Sequence, residues 1–269
     1  MTQSSLCVEA SLRDFYITPS SLRKAFRDKQ LIPYIQPIVE SHSKCVVGGE
    51  VLLRWLHPDF GYISPELFIP YVEKSSAINE ITDYIFEYVG NSLKSHSDTL
   101  PRKMKFCFNI SPKNLNNKNL LRSCAKFLET LDDIEPLIVL EITERDKIPD
   151  LGSFELVIKA LQNNKVQISL DDFGTGYSNY YYIEIFNPDY LKIDKFFVNG
   201  IGEKINSQYI IKSIVSLARD VGCLTIAEGV EYAHQYSYLC HENIDYMQGY
   251  LFSQPMMINS FASLIIDRN

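Results

Sequence analysis

The feature that most constrains this chain is a regular alternation of short apolar segments with longer amphipathic segments. The apolar segments are predicted to be strands because they are short and lie between segments of helical period. The eight predicted strands cover residues 31–39, 46–53, 105–110, 137–142, 166–170, 190–193, 224–227 and 246–252. The predicted helices cover residues 20–27, 65–75, 79–94, 114–130, 154–162, 208–221, 233–241 and 260–266.

This alternation predicts a TIM-like (β/α)8 barrel. Strands that alternate with helices form parallel sheets, and eight such units in about 250 residues favour a closed barrel over an open sheet. The first two strands are joined by residues 40–44 alone. Because a parallel crossover needs about a dozen residues or more, we expect an antiparallel first strand. The predicted domain covers residues 19–269, and the Ser-rich residues 1–18 are predicted to be an N-terminal extension or linker.

Charge and composition argue against several classes of partner. The net charge is −7 and there is no run of Lys or Arg, so binding to a nucleic-acid polymer or an anionic membrane is not expected. No stretch approaches the ~18 consecutive apolar residues of a membrane helix, and residues 1–14 show no secretory signal. The six cysteines form no C-x-x-C pair, which favours reduced thiols. These features predict a cytoplasmic protein with no membrane contact.

Polar side chains recur where the predicted strands end. In chain order they are Glu50, Asn109, Glu141, Asp171, Asp172, Lys192, Asp194, Glu228 and Gln248. The carboxyl ends of barrel strands meet on one face, so these side chains are predicted to converge there. Taken singly, each has a simpler interpretation: Asp171 and Asp172 as turn residues, or Asn109 as a helix cap. The recurrence at seven strands is what favours a functional site.

The predicted convergence of five carboxylates needs charge compensation. Either several of them are protonated, or divalent cations neutralise them. Hard oxygen ligands suit Mg²⁺ or Mn²⁺, and five carboxylates are more than one Mg²⁺ normally binds. A pair of cations about 3.5–4 Å apart is the arrangement that promotes in-line phosphoryl displacement. Lys192 is then placed to orient a water or to stabilise the anionic transition state.

Motifs around these residues resemble those of the EAL-domain cyclic di-GMP phosphodiesterases. The signature tripeptide is Glu50-Val51-Leu52, with Val in place of the usual Ala. The other matching motifs begin at Gln36, His57, Asn109, Glu141, Asp171, Lys192, Ala227 and Gln248. They occur in the family's order and cover about residues 20–258. Apart from Val51, no signature residue is replaced, in contrast to relatives that have lost catalysis.

The resemblance implies a role for each strand-end residue. One metal ion would be held by Glu50, Asn109, Glu141 and Asp171, and a second by Asp171, Asp172 and Glu228. A water activated by the two ions would attack one phosphorus of cyclic di-GMP and give linear pGpG. Lys192 would position that water, and Glu228 is the candidate general base. The implied substrate contacts are Gln36, Leu52, Arg54, Asp194, Glu231 and Gln248.

The resemblance also implies regulation and leaves alternatives open. Glu144 resembles the residue that anchors the loop at residues 171–179 in the family. A homodimer is expected to form through residues 178–186, whose aromatic character suits a buried contact. The alternatives are a non-catalytic receptor for cyclic di-GMP, a regulator that acts through a protein partner, and a two-metal barrel that hydrolyses another phosphate ester.

Overall fold

The computed structural model describes residues 17–75, 77–115, 117, 119–143, 151–175 and 179–268, and its described strands form a closed barrel. The strands are β1 (Leu31–Glu40), β2 (Val46–His57), β3 (Gly61–Ile63), β4 (Lys105–Ile110), β5 (Leu137–Thr143), β6 (Gln167–Phe173), β7 (Tyr190–Ile193), β8 (Leu224–Ala227) and β9 (Tyr246–Met247). The ring runs β1-β2-β4-β5-β6-β7-β8-β9 and closes between β9 and β1, while β3 extends β2 at its outer end.

Helices follow most of the ring strands. They are α1 (Pro19–Arg27), α2 (Pro65–Lys74), α3 (Ile78–Lys94), α4 (Pro112–Leu115), α5 (Asn119–Thr130), α6 (Leu151–Asn163), α7 (Asn179–Phe186), α8 (Lys195–Val198), α9 (Ile205–Val221), α10 (Ala233–His241) and α11 (Ile258–Arg268). In the described part of the chain, no helix has the length and apolar character needed to span a membrane.

Strand β1 is antiparallel to both of its neighbours, β2 and β9, whereas the other neighbouring ring strands pair in parallel. The prediction of a TIM-like barrel with an antiparallel first strand is therefore confirmed. The short link after Glu40 has the expected effect, because it leaves room for a hairpin and for no crossover helix.

Several element boundaries differ from the prediction. The helix predicted over 114–130 is two helices, α4 and α5, and α7 was not predicted. The last strand ends at Met247 rather than at residue 252. There the amide of Val230 donates to the carbonyl of Gln248 at 3.1 Å, and a Cβ on Gly249 would lie 2.1 Å from the carbonyl oxygen of Val230. This close backbone approach turns the chain away from the strand direction.

Strands β1 and β2 continue beyond the ring and, with β3, form a projecting ribbon. Directly paired residues of antiparallel strands share a face, so the pairs Leu31–Trp55 and Trp55–Ile63 define one face of the ribbon. That face is buried in a small second core with α1, α2 and α3, where the rings of Trp55 and Phe68 meet edge to face at 5.6 Å. The opposite, half-exposed face carries Ile32, Tyr34, Leu52, Arg54, Leu56 and Tyr62; we call it the ribbon face.

Candidate metal and substrate site

The alternation of side chains along each strand produces the polar site. One residue from each of five ring strands forms a separate apolar cluster: Ile38, Cys107, Val139, Tyr190 and Ile226. Two residues further toward the open end, the same strand faces carry Gln36, Asn109, Glu141, Lys192 and Glu228. Because successive side chains point to opposite sides of a strand, these residues lie one layer above the apolar cluster. The predicted convergence of strand-end residues is thus a consequence of strand period and register.

Lys192 is the centre of this layer and is fully buried. Its Nζ lies within ion-pair distance of four carboxylates: Glu228 Oε1 at 2.5 Å, Glu141 Oε1 at 2.9 Å, Asp171 Oδ1 at 3.3 Å and Glu50 Oε2 at 3.6 Å. Burial alone would lower the pKa of Lys192, but the surrounding carboxylates raise it well above its usual value. Lys192 is therefore a fixed positive charge at every working pH.

Glu50 is held by two amide side chains. Nδ2 of Asn109 donates to Glu50 Oε1 at 2.8 Å, and Nε2 of Gln248 donates to Oε2 at 2.7 Å. Burial raises the pKa of Glu50, but Lys192 and the two donors more than offset this, so the net pKa is below its usual value. Glu50 is therefore ionised and fixed in orientation. Asn109 retains its amide oxygen as the atom it could offer to a cation.

Glu141 lies beside Glu50 and has a different environment. Its side chain is fully buried, and neither carboxyl oxygen makes a hydrogen bond of normal geometry with the described residues. Burial raises its pKa well above the usual value; Lys192 opposes this, and the carboxylates of Glu50, Asp171 and Glu228 add to it. A buried carboxyl group whose nearest donor is an ammonium shared with three other carboxylates is costly unless something else binds it. A divalent cation meets that need.

Asp171, Asp172 and Glu228 form the more open half of the site. Each offers a carboxylate oxygen, and the three oxygens lie within 4.8 Å of one another. Two consecutive aspartates can reach one site because the β6–β7 register shifts between Leu170 and Phe173, with Asp172 at φ 54°. Such a bulge re-aims a side chain that would otherwise point to the opposite face. Burial, followed by Asp171 and Glu50, raises the pKa of Glu228 to about 8, against an opposing effect of Lys192.

The chemistry of this donor set fits divalent cations. Five carboxylates and one ammonium gather at the open end of the barrel, and the two oxygens of Glu141 make no hydrogen bond of normal geometry with the described residues. Oxygen ligands of this kind bind Mg²⁺, Mn²⁺ and similar hard ions. The residues present therefore suit the metal that the sequence predicts.

The predicted substrate contacts lie around this cluster. Nε2 of Gln248 also donates to Gln36 Oε1 at 3.0 Å, and the Nε2 of Gln36 donates to the carbonyl of Ser253 at 3.2 Å. Leu52 and Arg54 follow Glu50 on the ribbon face. These positions form one continuous surface from the barrel interior to its rim.

Two further predicted contacts lie on the segments that follow β7 and β8. The side chain of Asp194 caps α8, accepting a hydrogen bond from the amide of Phe196 at 2.6 Å. Glu231 is exposed in the segment after β8, where its amide donates to Oε1 of Gln235. Glu144 and residues 176–178 of its partner loop lie outside the described residues. Their predicted roles remain predictions.

A cavity of about 290 Å³ extends from Glu50 and Asn109 toward α2 and α3. Its deeper walls are apolar and include Ile69, Ile81 and Phe108. This chamber was not predicted, and neither was the place of Tyr62 on the ribbon face. A strand of three residues is too short to show a period.

Comparisons with known proteins agree with this architecture. Residues 20–255 match the family model described as the EAL domain. The chain is 37% identical over 238 residues to the probable cyclic di-GMP phosphodiesterase PdeN of Escherichia coli K12, covering 88% of this chain and 46% of PdeN. It is 33% identical over 247 residues to the cyclic di-GMP phosphodiesterase PdeL of the same organism, covering 92% and 68%.

Solved structures give the same result. The PaMucR phosphodiesterase in complex with c-di-GMP superposes with a TM-score of 0.82 at 30% identity, over 90% of this chain and 98% of that chain. The EAL enzyme Bd1971, bound to cAMP and cyclic di-GMP, gives 0.83 at 30% identity, over 98% and 70%. The chain spans about half the length of the relatives PdeN and PdeG, at 46% and 53%.

Proposed function

The chain belongs to the EAL domain family, and on that premise we propose that it is a metal-dependent phosphodiesterase that hydrolyses cyclic di-GMP to linear pGpG. The observation that carries the proposal is the group of strand-end carboxylates around Lys192. With Asp172 included and all groups ionised, the cluster holds four more negative charges than positive ones. Two divalent cations, Mg²⁺ or Mn²⁺, would neutralise that excess.

We assign the ligands to two sets, and the closeness of the side chains supports this assignment. Glu50, Asn109, Glu141 and Asp171 would hold one ion, and Asp171, Asp172 and Glu228 the other. Asp171 is assigned to both sets because its Oδ1 lies 3.3 Å from Lys192 Nζ and its carboxylate also belongs to the open half of the site. When bound, such a pair supplies a Lewis acid for the phosphoryl group and acidifies a water.

The chain's own residues supply the remaining catalytic functions. Lys192 holds its proton permanently, so it acts as a donor that orients the attacking water and stabilises negative charge on the phosphoryl oxygens. Glu228 touches Lys192 but retains 20% exposure of its side chain. That position allows it to accept the proton of the water and to pass it to solvent.

Substrate binding is assigned to the surface that continues from Glu50. Arg54 is a fixed cation, suited to a phosphate oxygen, with Leu52 beside it on the ribbon face. Gln36 and Gln248, with Asp194 and Glu231 further round the rim, offer the amide and carboxylate groups that a guanine edge requires. Cyclic di-GMP brings both chemistries, two phosphodiesters and two guanines, to one site.

A homodimer through α7 is part of the proposal. Tyr180 and Tyr181 on this helix are 75% and 53% exposed, whereas Tyr182 and Phe186 stack inward at 5.4 Å. Large aromatic side chains that face outward suit an interface core. Light scattering on the protein is expected to give the mass of a dimer, and Tyr180→Glu with Tyr181→Glu should give a monomer. A dimer that survives both changes would place the interface elsewhere.

The deciding experiment for the activity is hydrolysis of cyclic di-GMP by the purified protein, followed by chromatography with Mg²⁺, Mn²⁺ or EDTA. Metal-dependent formation of pGpG is expected from the wild type and from Glu80→Ala, which changes an exposed glutamate of α3. Glu50→Ala should retain the fold and lose turnover. Product formation in EDTA, or by Glu50→Ala, would contradict the metal assignment. Binding without hydrolysis would favour a receptor.

A further inference from the structure

The ribbon face continues the proposed site outward. On β1 and β2 the pairs Gln36–Glu50, Tyr34–Leu52 and Ile32–Arg54 lie directly opposite each other, and on β2 and β3 so do Leu56 and Tyr62. Paired residues and alternate residues of a strand point to the same side. A straight row of side chains therefore leads from Glu50 inside the barrel, past Arg54, to Tyr62.

Three tyrosines from separate parts of the chain surround Arg54. The guanidinium carbon of Arg54 lies 6.0 Å from the ring centroid of Tyr34. Burial raises the pKa of Tyr62, Arg54 opposes this, and the phenols of Tyr250 and Tyr34 add to it, so the four groups share one neighbourhood. Tyr62 and Tyr250 are 48% and 57% exposed. Tyr250 follows Gln248, which donates to both Glu50 and Gln36.

From this arrangement we infer that Tyr62, framed by Tyr34 and Tyr250, is the stacking surface for one purine base of the ligand, beside the phosphate that Arg54 holds. The inference rests on the proposed function and assigns to it a specificity-determining residue. An aromatic ring with half of its surface exposed gains by covering a flat base, and a neighbouring guanidinium gains by pairing with the adjacent phosphate. A ligand that carries a purine base next to a phosphodiester can bind to the tyrosine ring and to the guanidinium at the same time.

The position of Tyr62 suits a residue that binds the substrate and does not touch the reacting atoms. Tyr62 lies on β3, outside the barrel ring, while the carboxylates that would hold the metal lie on the ring strands. Loss of its ring should therefore weaken substrate binding and leave the hydrolytic step intact. The hydroxyl is not needed for stacking, so phenylalanine should replace tyrosine with little loss.

The test compares Tyr62→Ala, Tyr62→Phe and the control Tyr71→Ala, which removes a tyrosine of nearly the same exposure, 49%, on α2. Tyr62→Ala should raise KM for cyclic di-GMP about tenfold with kcat within about twofold, since base stacking is usually worth that factor or more. Tyr62→Phe and Tyr71→Ala should match the wild type. Methyl p-nitrophenyl phosphate, a phosphodiester without a purine base, should be hydrolysed equally by all four proteins.

The outcomes separate this inference from the proposed function. An unchanged KM in Tyr62→Ala would overturn the inference while leaving the activity in place. An equal loss on both substrates would also overturn it, because it would indicate a structural role. If the wild type does not hydrolyse cyclic di-GMP, the proposed function fails, and equilibrium dialysis of cyclic di-GMP against wild type and Tyr62→Ala decides the inference. Absence of binding by the wild type would overturn both.

Discussion

The two halves of the carboxylate cluster differ in how the fold holds them. In the buried half, Glu50 is fixed by the amides of Asn109 and Gln248. In the open half, Asp172 and Glu228 are gathered by a strand bulge and a loop and retain contact with solvent. The pKa of Glu50 is lowered, whereas that of Glu228 is raised to about 8. Under the proposed function, the same residue type would play two roles: Glu50 as a preformed ligand, and Glu228 as a ligand that exchanges a proton for a cation.

The largest effect is expected from removing the charge that both halves share. Lys192→Met keeps the length of the side chain and should lower turnover by about 10²–10³-fold, as loss of a transition-state donor does. Leaving buried carboxylates unpaired typically costs about 3–5 kcal/mol of unfolding free energy. In EDTA the loss of stability should be larger at pH 8 than at pH 5.5, because Glu141 and Glu228 can carry protons at the lower pH.

Thermal unfolding and the pGpG assay test this prediction, with Lys24→Met on the exposed side of α1 as the control. Equal stability of Lys192→Met and wild type at pH 8 would show that the carboxylates do not need the ammonium in the absence of metal.

The sharpest comparison makes the same change, from glutamate to glutamine, once in each half of the cluster. In Glu50→Gln, the NH₂ group of the new amide would face the NH₂ group of Asn109 or of Gln248, and neither could accept the other's hydrogen. We therefore expect the free energy of unfolding to fall by about 1–3 kcal/mol. Glu228→Gln should instead stabilise the cation-free protein near pH 8. Its folded pKa of about 8 exceeds the ordinary 4.5. Between these values the folded state holds a proton that the unfolded state has released, so wild-type stability falls as the pH rises.

Urea unfolding in EDTA at intervals between pH 4.5 and pH 9 measures this contrast. Glu228→Gln should flatten the decline that the wild type shows up to about pH 8, and both variants should lose turnover. Destabilisation by both substitutions at pH 8 would remove the distinction between the halves. Added Mn²⁺ should stabilise the wild type more at pH 8 than at pH 6, because a cation competes with the proton on Glu228.

A smaller effect is expected from loosening the buried half without removing a carboxylate. Gln248→Leu removes the donor to Glu50 Oε2 and to Gln36 Oε1. Loss of a group that orients a metal ligand typically costs about 10–100-fold in metal affinity or activity. Titration of turnover with Mn²⁺ should show a raised half-saturation concentration, whereas Gln254→Leu, a change at a nearby exposed residue, should not. An unchanged metal requirement would mean that Asn109 alone fixes Glu50.

The sequence predicts the parts of this molecule that depend on period and loop length. The antiparallel first strand follows from the short link after Glu40, and the gathering of strand-end residues follows from the closure of eight strands. Contacts between distant segments were not predictable in this way. The end of β9 depends on the approach of Gly249 to Val230, and the four ion pairs of Lys192 depend on side-chain distances that no spacing encodes.

Short or uniformly apolar elements were also missed, because a pattern needs length and contrast. Strand β3 has three residues, and α7 contains so many aromatic residues that its apolar side has no clear boundary. The carboxylates of Asp171 and Asp172 were predicted to share a site, but the bulge that allows this was not predicted. Ideal alternation would place two consecutive side chains on opposite faces.

The ribbon has a mechanical consequence, because its strands belong to both cores. Strands β1 and β2, of ten and twelve residues, run without a break from the barrel ring into the small core beneath α1 and α2. Arg54 lies four residue steps along the strand from Glu50, a lever arm of about 13 Å at roughly 3.3 Å per residue. A tilt of the small core by about 10° would therefore carry Arg54 about 2 Å across the mouth of the barrel, while Glu50, near the pivot, would scarcely move.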